Sequence, residues 1–334
     1  MKNNILITGG AGFIGSHLVR YFLKKYPDYN IYNLDDLKYS SNLQNLKGIE
    51  NFSNYKFIKC DICNSGRLRE IFKNYNITKV INLAAESHVD NSIENPFIFA
   101  QTNIIGTLNL LQISKDFWFD NYSDKLFYHI STDEVYGQLG KTNYFTENSP
   151  YMPRSPYAAS KASSDHFVRS FAATYSLPIV ISNCSNNFGP HQHNEKLIPL
   201  SIKNILLNKF IPVYGDGSNI RDWLYVMDHV KAIDMIFHNG SLNESYNIGG
   251  NNELRNIDLI KNIICITDEL LDRKVGFSKR LIKFVKDRAG HDFRYAVDSK
   301  KIRKELGWTP SFDFQDSLRS TIKWYIDNNI NYIK

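Results

Sequence analysis

The chain has 334 residues, of which 43% are hydrophobic and 22% charged, and this balance excludes disordered, collagen-like and coiled-coil proteins. No apolar run approaches the roughly 18 residues that a membrane-spanning helix needs. The net charge of +6 is scattered along the chain, which is typical of a solvated surface. We therefore expect neither a membrane nor a nucleic acid as a partner.

The first half of the chain alternates β-branched apolar runs with segments of helical period. This alternation is typical of a parallel sheet whose connections are helices. The predicted strands are 4–8, 30–34, 56–60, 79–83, 126–131 and 178–183. The predicted helices are 12–26, 65–75, 96–119 and 156–175. Because such crossovers are right-handed, the predicted fold class is α/β, with a doubly wound parallel sheet.

After residue 188 the alternation gives way to loop-rich segments such as Gly189-Pro190 and Tyr214-Gly215-Asp216-Gly217. We therefore predict two domains. The sheet domain covers 1–188, and later segments are free to return to it. A smaller α/β domain that binds the substrate covers most of 189–334.

A glycine-rich segment, Thr8-Gly9-Gly10-Ala11-Gly12-Phe13-Ile14-Gly15, follows the first strand and opens the first helix. Glycines let the backbone turn tightly and approach a pyrophosphate at the positive end of that helix. Asp35 ends the second strand, where a carboxylate accepts hydrogen bonds from an adenosine ribose and repels a 2′-phosphate. This pattern predicts an NAD-binding Rossmann-type domain. The alternative is a sharp turn with a solvent-facing aspartate.

Tyr157 and Lys161 lie one helical turn apart on the last predicted helix. A nearby ammonium lowers the pKa of a tyrosine from its ordinary value of about 10 and makes the phenolate a usable base. The spacing alone often arises by chance, and its position after the glycine fingerprint favours a catalytic pair.

Asp133 and Glu134 directly follow the fifth strand, where sheets of this kind bind ligands. Two carboxyls in different surroundings can work as an acid and a base. The alternative is a helix N-terminus with an acidic first turn, which Thr132 could cap. On residue types alone the two interpretations are equal.

The second half supplies two arginines, Arg221 and Arg288, whose planar forks match diphosphate oxygens. Surface salt bridges are the alternative. Cys60 and Cys63 form a single C-x-x-C pair without a second pair, so we predict packing residues and no metal site. Four cysteines in so long a chain fit a reducing compartment, and the N-terminus has no signal-peptide core, so the expected location is cytoplasmic.

In these motifs the chain resembles the extended short-chain dehydrogenases/reductases and, among them, the dTDP-glucose 4,6-dehydratase family. The resemblance covers nearly the whole chain, in residues 8–17, 83–90, 131–137, 155–165, 183–190, 195–199, 214–229 and 287–298. Nucleotide-sugar epimerases of the same superfamily share the first and fourth of these segments, but they typically carry small residues in place of Asp133 and Glu134.

The resemblance implies a reaction and its catalytic residues. Tyr157, helped by Thr132, takes the proton of the sugar 4-hydroxyl while a hydride passes from C4 to NAD. Glu134 removes the C5 proton, and Asp133 protonates the departing 6-hydroxyl. The hydride then returns to C6, and Lys161 holds the nicotinamide ribose.

The resemblance also implies the binding residues and a homodimer built on the two long helices. The cofactor would contact Gly9, Gly12, Phe13, Ile14, Gly15, Asp35, Asp61, Ile62, Ala84, Ala85, Tyr157 and Lys161. The nucleotide sugar would contact Glu86, Ser87, Thr132, Asn186, Glu195, Lys196, Leu197, Pro212, Tyr214, Arg221, Asn256, Arg288 and His291.

Three alternatives stay open at this point. The substrate could be another nucleotide sugar, namely UDP-glucose, CDP-glucose or a UDP-N-acetylhexosamine, because Asn91, Met227 and His193-Asn194 depart from the family pattern. A 4-epimerase would need Tyr157 and NAD but not the two acids. A non-catalytic NAD-binding protein would keep the fold alone.

Overall fold

A computed structural model describes residues 3–328 of the chain. The described residues form twelve strands: β1 (Asn4–Thr8), β2 (Asn30–Asp35), β3 (Tyr55–Lys59), β4 (Lys79–Asn82), β5 (Leu126–Thr132), β6 (Ile179–Cys184), β7 (Asn186–Phe188), β8 (Ile211–Tyr214), β9 (Ile220–Tyr225), β10 (Ser245–Ile248), β11 (Glu253–Arg255) and β12 (Ile282–Val285).

The same residues form eleven α-helices: α1 (Phe13–Lys25), α2 (Ser65–Tyr75), α3 (Val89–Glu94), α4 (Pro96–Phe99), α5 (Thr107–Trp118), α6 (Pro156–Tyr175), α7 (Leu197–Leu206), α8 (Val226–Asn239), α9 (Asn256–Leu270), α10 (Lys300–Leu306) and α11 (Phe314–Asp327). A π-helical stretch over Ala100–Gly106 joins α4 and α5 into one long helix.

Seven parallel strands form the central sheet, in the order β10-β6-β5-β4-β1-β2-β3. The strand order reverses at β1, which pairs with β2 on one side and β4 on the other. Ile5, Leu6 and Ile7 of β1 are all fully buried because helices cover both faces of the sheet. A sheet of this kind opens a crevice beyond the carboxyl ends of its strands, at this reversal.

Apolar side chains fill one core on each face of the sheet. On one face α1 and α8 contribute Phe22 and Ile233, and on the other α2 and α5 contribute Leu68 and Leu110. A third core lies beyond the sheet, where α7, α9 and α11 pack together. Two small sheets accompany this third core, one ordered β11-β9-β7 and the other pairing β8 with β12.

Two segments after residue 188 belong to the central layer. Strand β10 pairs in parallel with β6, and helix α8 packs against α1. The chain thus returns to the first unit before it completes the second, and the division at residue 188 stays a prediction.

The α/β fold class and the doubly wound sheet are confirmed. Each of the six predicted strands and four predicted helices ends within one residue of the observed element. Within residues 3–328, no helix has the length and apolar character needed to cross a bilayer.

Candidate active site

A cavity of about 460 Å³ lies beyond the carboxyl ends of the central strands. Every residue that the sequence analysis assigned to catalysis, cofactor or substrate lines this cavity. The structure therefore brings residues as distant in the chain as Gly9 and His291 to one place. Their individual roles stay predictions.

The glycine-rich turn places bare backbone on the cavity wall. Gly9 has a φ of +73°, and a Cβ atom there would lie 2.8 Å from the backbone nitrogen of Ala84. A Cβ on Gly15 would overlap the carbonyl oxygen of Gly9. Gly12 is the N-cap of α1, so the positive end of this helix opens onto the cavity. No larger residue fits at Gly9 or Gly15 without moving the backbone.

Asp35 links this turn to the end of β2. Its Oδ2 accepts a hydrogen bond from Ala11 N at 2.9 Å, and its Oδ1 accepts one from Leu37 N at 2.8 Å. The side chain is 5% exposed, so the alternative of a solvent-facing aspartate is wrong. A carboxylate has about four acceptor positions, and Asp35 therefore keeps acceptor capacity toward the cavity.

Asp61 has a cationic neighbour that the sequence analysis missed, Lys38. The Lys38 Nζ lies 3.2 Å from Asp61 Oδ2, and the backbone nitrogen of Cys63 donates to Asp61 Oδ1 at 2.8 Å. Burial alone would raise the pKa of Asp61, but these two contacts outweigh it, and the net shift is downward. The carboxylate is therefore held ionised where β3 ends.

Cys60 and Cys63 are free thiols. Burial raises the pKa of each thiol to about 11, so both are protonated near neutral pH. In the described part of the chain, no three His, Cys, Asp or Glu side chains are grouped as a metal site. The pair packs between β3 and the long helix, where Cys63 Sγ donates to the carbonyl of Gln101.

Tyr157 and Lys161 both face the cavity from α6, but the predicted lowering of the Tyr157 pKa is wrong. Burial, followed by repulsion from Glu134, raises the pKa of Tyr157 well above its ordinary value, and a hydrogen bond with Thr132 acts in the opposite direction. The Lys161 Nζ instead donates to the carbonyl of Ile130 at 2.8 Å. The low dielectric around the phenol and the nearby carboxylates therefore dominate over the ammonium.

Asp133 and Glu134 have different surroundings. Burial, followed by repulsion from Glu134, raises the pKa of Asp133 well above its ordinary value. The Oδ2 of Asp133 is buried and has no hydrogen-bond partner among the described residues. Burial also raises the pKa of Glu134, but Arg221 and two further cations oppose that shift. These surroundings favour a protonated Asp133 beside an ionised Glu134.

The same two residues also form the helical turn of the alternative interpretation. The Thr132 hydroxyl accepts a hydrogen bond from Glu134 N at 3.2 Å and thereby caps a short 3₁₀-helix over Asp133–Tyr136. The cap uses Thr132 and backbone groups only. Both carboxyls remain available to the cavity, so the two interpretations are compatible.

Three further cations line the cavity and form its cationic wall: Arg221, Lys196 and Arg288. Arg221 is 7% exposed and donates to the carbonyls of Ile220 and Asp292, at 2.7 and 2.9 Å, so it is not a surface salt bridge. Lys196 donates to the carbonyl of Ser87 at 2.9 Å.

Arg288 does form an ion pair, and its partner Asp90 also lines the cavity. The Nε of Arg288 lies 2.5 Å from Asp90 Oδ1, and a terminal nitrogen donates to Oδ2 at 2.9 Å. The hydroxyl of Tyr214 approaches the same Oδ2 at 3.4 Å. This hydrogen bond and the close ion-pair contact restrict the orientation of the guanidinium beside the cavity.

Sequence reasoning missed Lys38, Asp90, Asp292 and Tyr295 of the cavity wall. Asp90 and Asp292 lie inside the segments that resemble the family, so the resemblance could have pointed to them. Tyr295 lies in the same segment as Asp292. Its ring lies 4.3 Å from the Arg221 guanidinium, and its hydroxyl donates to Asp292. A contact between residues so far apart in the chain has no local sequence pattern.

The chain matches the family model described as GDP-mannose 4,6 dehydratase over residues 6–321. It is 50% identical to a dTDP-glucose 4,6-dehydratase of Neisseria gonorrhoeae, over 98% of this chain and 96% of that protein.

Solved structures agree with this match. A dTDP-glucose 4,6-dehydratase of Streptomyces venezuelae, crystallised with NAD, has a TM-score of 0.91 and 40% identity, over 99% of this chain and 100% of its own. A UDP-glucose 4-epimerase of Thermotoga maritima has a TM-score of 0.86 and 29% identity, over 98% and 99% respectively. The fold is thus shared with epimerases, but sequence identity is markedly higher to the dehydratases. The chain belongs to the dTDP-glucose 4,6-dehydratase family.

Proposed function

We propose that this protein converts dTDP-glucose into dTDP-4-keto-6-deoxyglucose and water, using NAD as its cofactor. The observation that carries the proposal is the acidic pair Asp133 and Glu134, which shares one cavity with Tyr157. An epimerase needs proton and hydride chemistry at C4 alone. Two further carboxyls, one protonated and one ionised, suit proton transfer at C5 and at the 6-hydroxyl.

The residues around the glycine-rich turn fit NAD. The absence of a Cβ at Gly9 and Gly15 keeps the backbone open to a pyrophosphate at the N-terminus of α1. Asp35 retains acceptor positions for the adenosine ribose, and its negative charge disfavours the 2′-phosphate of NADP. Asp61, Ala84 and further residues of the same wall would complete the site.

Each catalytic side chain would handle one proton. Tyr157, hydrogen-bonded to Thr132, takes the proton of the 4-hydroxyl. The resulting ketone acidifies the C5 proton, which Glu134 removes. Asp133 gives its proton to the 6-hydroxyl, which leaves as water. Glu134 returns a proton to C5 when the hydride is added at C6. NAD held by the residues above would supply the hydride acceptor and donor, and the positive charge of its oxidised form would favour the Tyr157 phenolate.

The cationic wall would bind the sugar nucleotide through its diphosphate. Arg221 and Arg288 are held by backbone carbonyls and by Asp90 respectively, so little side-chain entropy is lost when they bind phosphate. Relatives named for dTDP-glucose support thymidine as the nucleoside. UDP-glucose and CDP-glucose present the same reacting atoms and are the alternatives to test.

We also propose a cytoplasmic homodimer. The long helix exposes Phe97, which is 83% exposed, together with Ile98 and Ile105. Phe167 on α6 is also more than a third exposed. Apolar side chains exposed in this number on neighbouring helices favour an interface between two copies. The free cysteines suit the reducing cytoplasm.

The function is tested by incubating the purified protein with dTDP-glucose, UDP-glucose and CDP-glucose separately, with loss of water followed by mass spectrometry. The proposal predicts a product lighter by one water from dTDP-glucose, at a rate well above that of the other two. A product of unchanged mass with the galactose configuration would identify an epimerase instead.

A further inference from the structure

A buried polar network lies beneath the cavity floor, and two of its titratable members have no place in the proposed reaction. His129 occupies the middle of β5, and Asp165 lies on α6. Both side chains are fully buried. The His129 Nε2 lies 3.3 Å from Asp165 Oδ1 and 3.4 Å from the Nζ of Lys161. The imidazole thus stands between a carboxylate and the lysine that faces the cavity.

The hydrogen bonds on the other side of the ring fix its tautomer. Thr8 accepts from Ala84 N at 3.2 Å, so its own hydroxyl hydrogen goes to Asn82 Oδ1 at 2.7 Å. The amide nitrogen of Asn82 therefore faces His129 Nδ1, at 3.2 Å, and donates to it. The proton of a neutral His129 is then on Nε2, 3.3 Å from Asp165 Oδ1, and the Lys161 ammonium at 3.4 Å is an electrostatic neighbour of the ring and not a hydrogen-bond donor to it.

Asp165 carries the negative charge of this network. Its Oδ2 accepts from Ser131 and from Tyr151, each at 2.8 Å. Burial would raise the pKa of Asp165, but His129 and Lys161 outweigh it, and the net shift is downward. An ionised carboxylate that is fully buried needs a compensating charge.

Lys161 is the residue that benefits from this charge. Its side chain is 4% exposed, and burial lowers its pKa, while Asp165 is the strongest influence in the opposite direction. Because His129 is neutral at neutral pH, with its pKa lowered to about 4 by burial, it does not compete for the role of cation.

We propose that Asp165 is the buried counter-ion that keeps the Lys161 ammonium charged, and that neutral His129 is the spacer that lies between the two. Both are positioning residues, because neither lines the cavity. The proposal rests on the proposed function, in which Lys161 holds the nicotinamide ribose. It extends the catalytic pair on α6 to Asp165 on the same helix and to His129 on β5.

The other groups facing Lys161 do not supply the missing charge. Burial raises the pKa of Cys184 on β6 to about 12, so this thiol is neutral. The pKa of Tyr157 on α6 and of Tyr151 before it are both raised, so both phenols are neutral in the protein alone. Arg169 donates to the Tyr151 hydroxyl at 3.0 Å and adds positive charge, not negative.

The first test uses the unaltered protein. Nitrogen NMR of histidine-labelled enzyme reports the tautomer and charge of each imidazole, and a His129→Gln sample assigns the His129 signal. The proposal predicts a neutral ring with its proton on Nε2 from about pH 6 to 8. A proton on Nδ1, or an imidazolium at neutral pH, would overturn it.

The second test compares Asp165→Asn with Asp165→Glu. Without the counter-ion, Lys161 loses its proton at lower pH, so the alkaline limb of the kcat/KM profile moves down by about one pH unit or more. NAD dissociation, followed by fluorescence, becomes about tenfold faster at the alkaline end but not at the acid end. Asp165→Glu keeps a carboxylate and returns the alkaline limb to its wild-type pH. A rate that falls equally at every pH would show a merely structural role and overturn the proposal.

A matched control is Asp234→Asn, which removes another buried carboxylate, paired with Lys25 and outside the cavity. It lowers stability but leaves the pH profile in place. The NAD and NMR measurements need no dehydratase activity. An inactive wild-type protein that still binds NAD would therefore refute the proposed function while the counter-ion proposal remained testable by those measurements.

Discussion

Asp133 and Glu134 are neighbours in the chain, yet their carboxyl groups meet different surroundings. Asp133 has a buried Oδ2 without a hydrogen-bond partner among the described residues, and repulsion from Glu134 adds to the effect of burial. Glu134 faces the cations of Arg221, Lys196 and Arg288. One turn of 3₁₀-helix thus presents a proton donor and a proton acceptor to the same cavity.

Replacing Asp133 with Asn removes the proton donor and keeps the shape of the side chain. We expect kcat for water loss to fall by about 100- to 10,000-fold, the usual contribution of a general acid. The control Asp272→Asn alters an exposed aspartate outside the cavity and leaves the rate unchanged. Rates are measured by mass spectrometry of the product. A loss of less than about threefold would remove Asp133 from its assigned role.

The same variant changes stability in a pH-dependent way. The folded pKa of Asp133 is raised above its unfolded value, so its ionisation disfavours the folded state. The contribution of Asp133 to wild-type stability therefore falls as the pH rises above about 4, and Asp133→Asn does not show this fall. Urea unfolding at several pH values should show that the free energy of unfolding of the variant rises relative to that of the wild type as the pH rises. A constant difference across this range would contradict the raised pKa.

The pH dependence of turnover should respond to Lys196. Glu134 must be ionised to act as the base, so activity falls as the pH drops through its pKa. Burial raises that pKa, and Lys196 is among the cations that oppose the shift. In Lys196→Gln the acid limb of kcat therefore moves to higher pH. The profile is recorded at saturating substrate to separate this effect from weaker binding, and an unmoved acid limb would mean that Lys196 does not act on Glu134.

Tyr157→Phe tests the base for the first proton transfer. The substitution removes one oxygen that contacts Thr132, and we expect turnover to fall by about 1,000-fold or more while NAD stays bound. Tyr175→Phe, at the exposed end of the same helix, is the control and should have wild-type rates. NAD per chain is measured by absorbance after denaturation. Wild-type turnover in Tyr157→Phe would exclude this tyrosine as the base.

The exposed apolar face of the long helix should control assembly. A charge at Phe97 cannot be buried between two copies without a large cost, so Phe97→Glu is expected to yield monomers by light scattering. Phe284→Glu introduces the same charge at another exposed phenylalanine, on β12, and should leave the oligomeric state unchanged. A Phe97→Glu protein that stays dimeric would show that the interface does not include Phe97.

The six strands and four longer helices predicted for the first half were predictable because each carries its own period. Strand β10 has only four residues and pairs with β6 across a long stretch of chain, so no local pattern predicted it. The short helix α3 was missed for a similar reason. Its six residues are fewer than two helical turns, too few to establish a period.

The site was predictable at the level of motifs but not of contacts. The glycine turn and the acidic pair could be read from local sequence. The ion pair of Asp90 with Arg288 joins residues from opposite halves of the chain, and the direction of the Tyr157 pKa shift depends on burial. Both follow from tertiary packing, which a sequence pattern does not contain. His129 gave only the pattern of a strand residue, although its ring links Asp165 to Lys161.

In the proposed reaction one hydride leaves C4 and returns to C6 of the same sugar. Its most direct test is turnover of dTDP-glucose deuterated at C4, with the product analysed by NMR. We expect deuterium at C6 of a 4-keto product and, when the reaction is run in deuterated water, one solvent deuteron at C5. Deuterium that stays on C4, in a sugar of galactose configuration and unchanged mass, would exclude the hydride transfer to C6 and show that the two acids do not catalyse elimination.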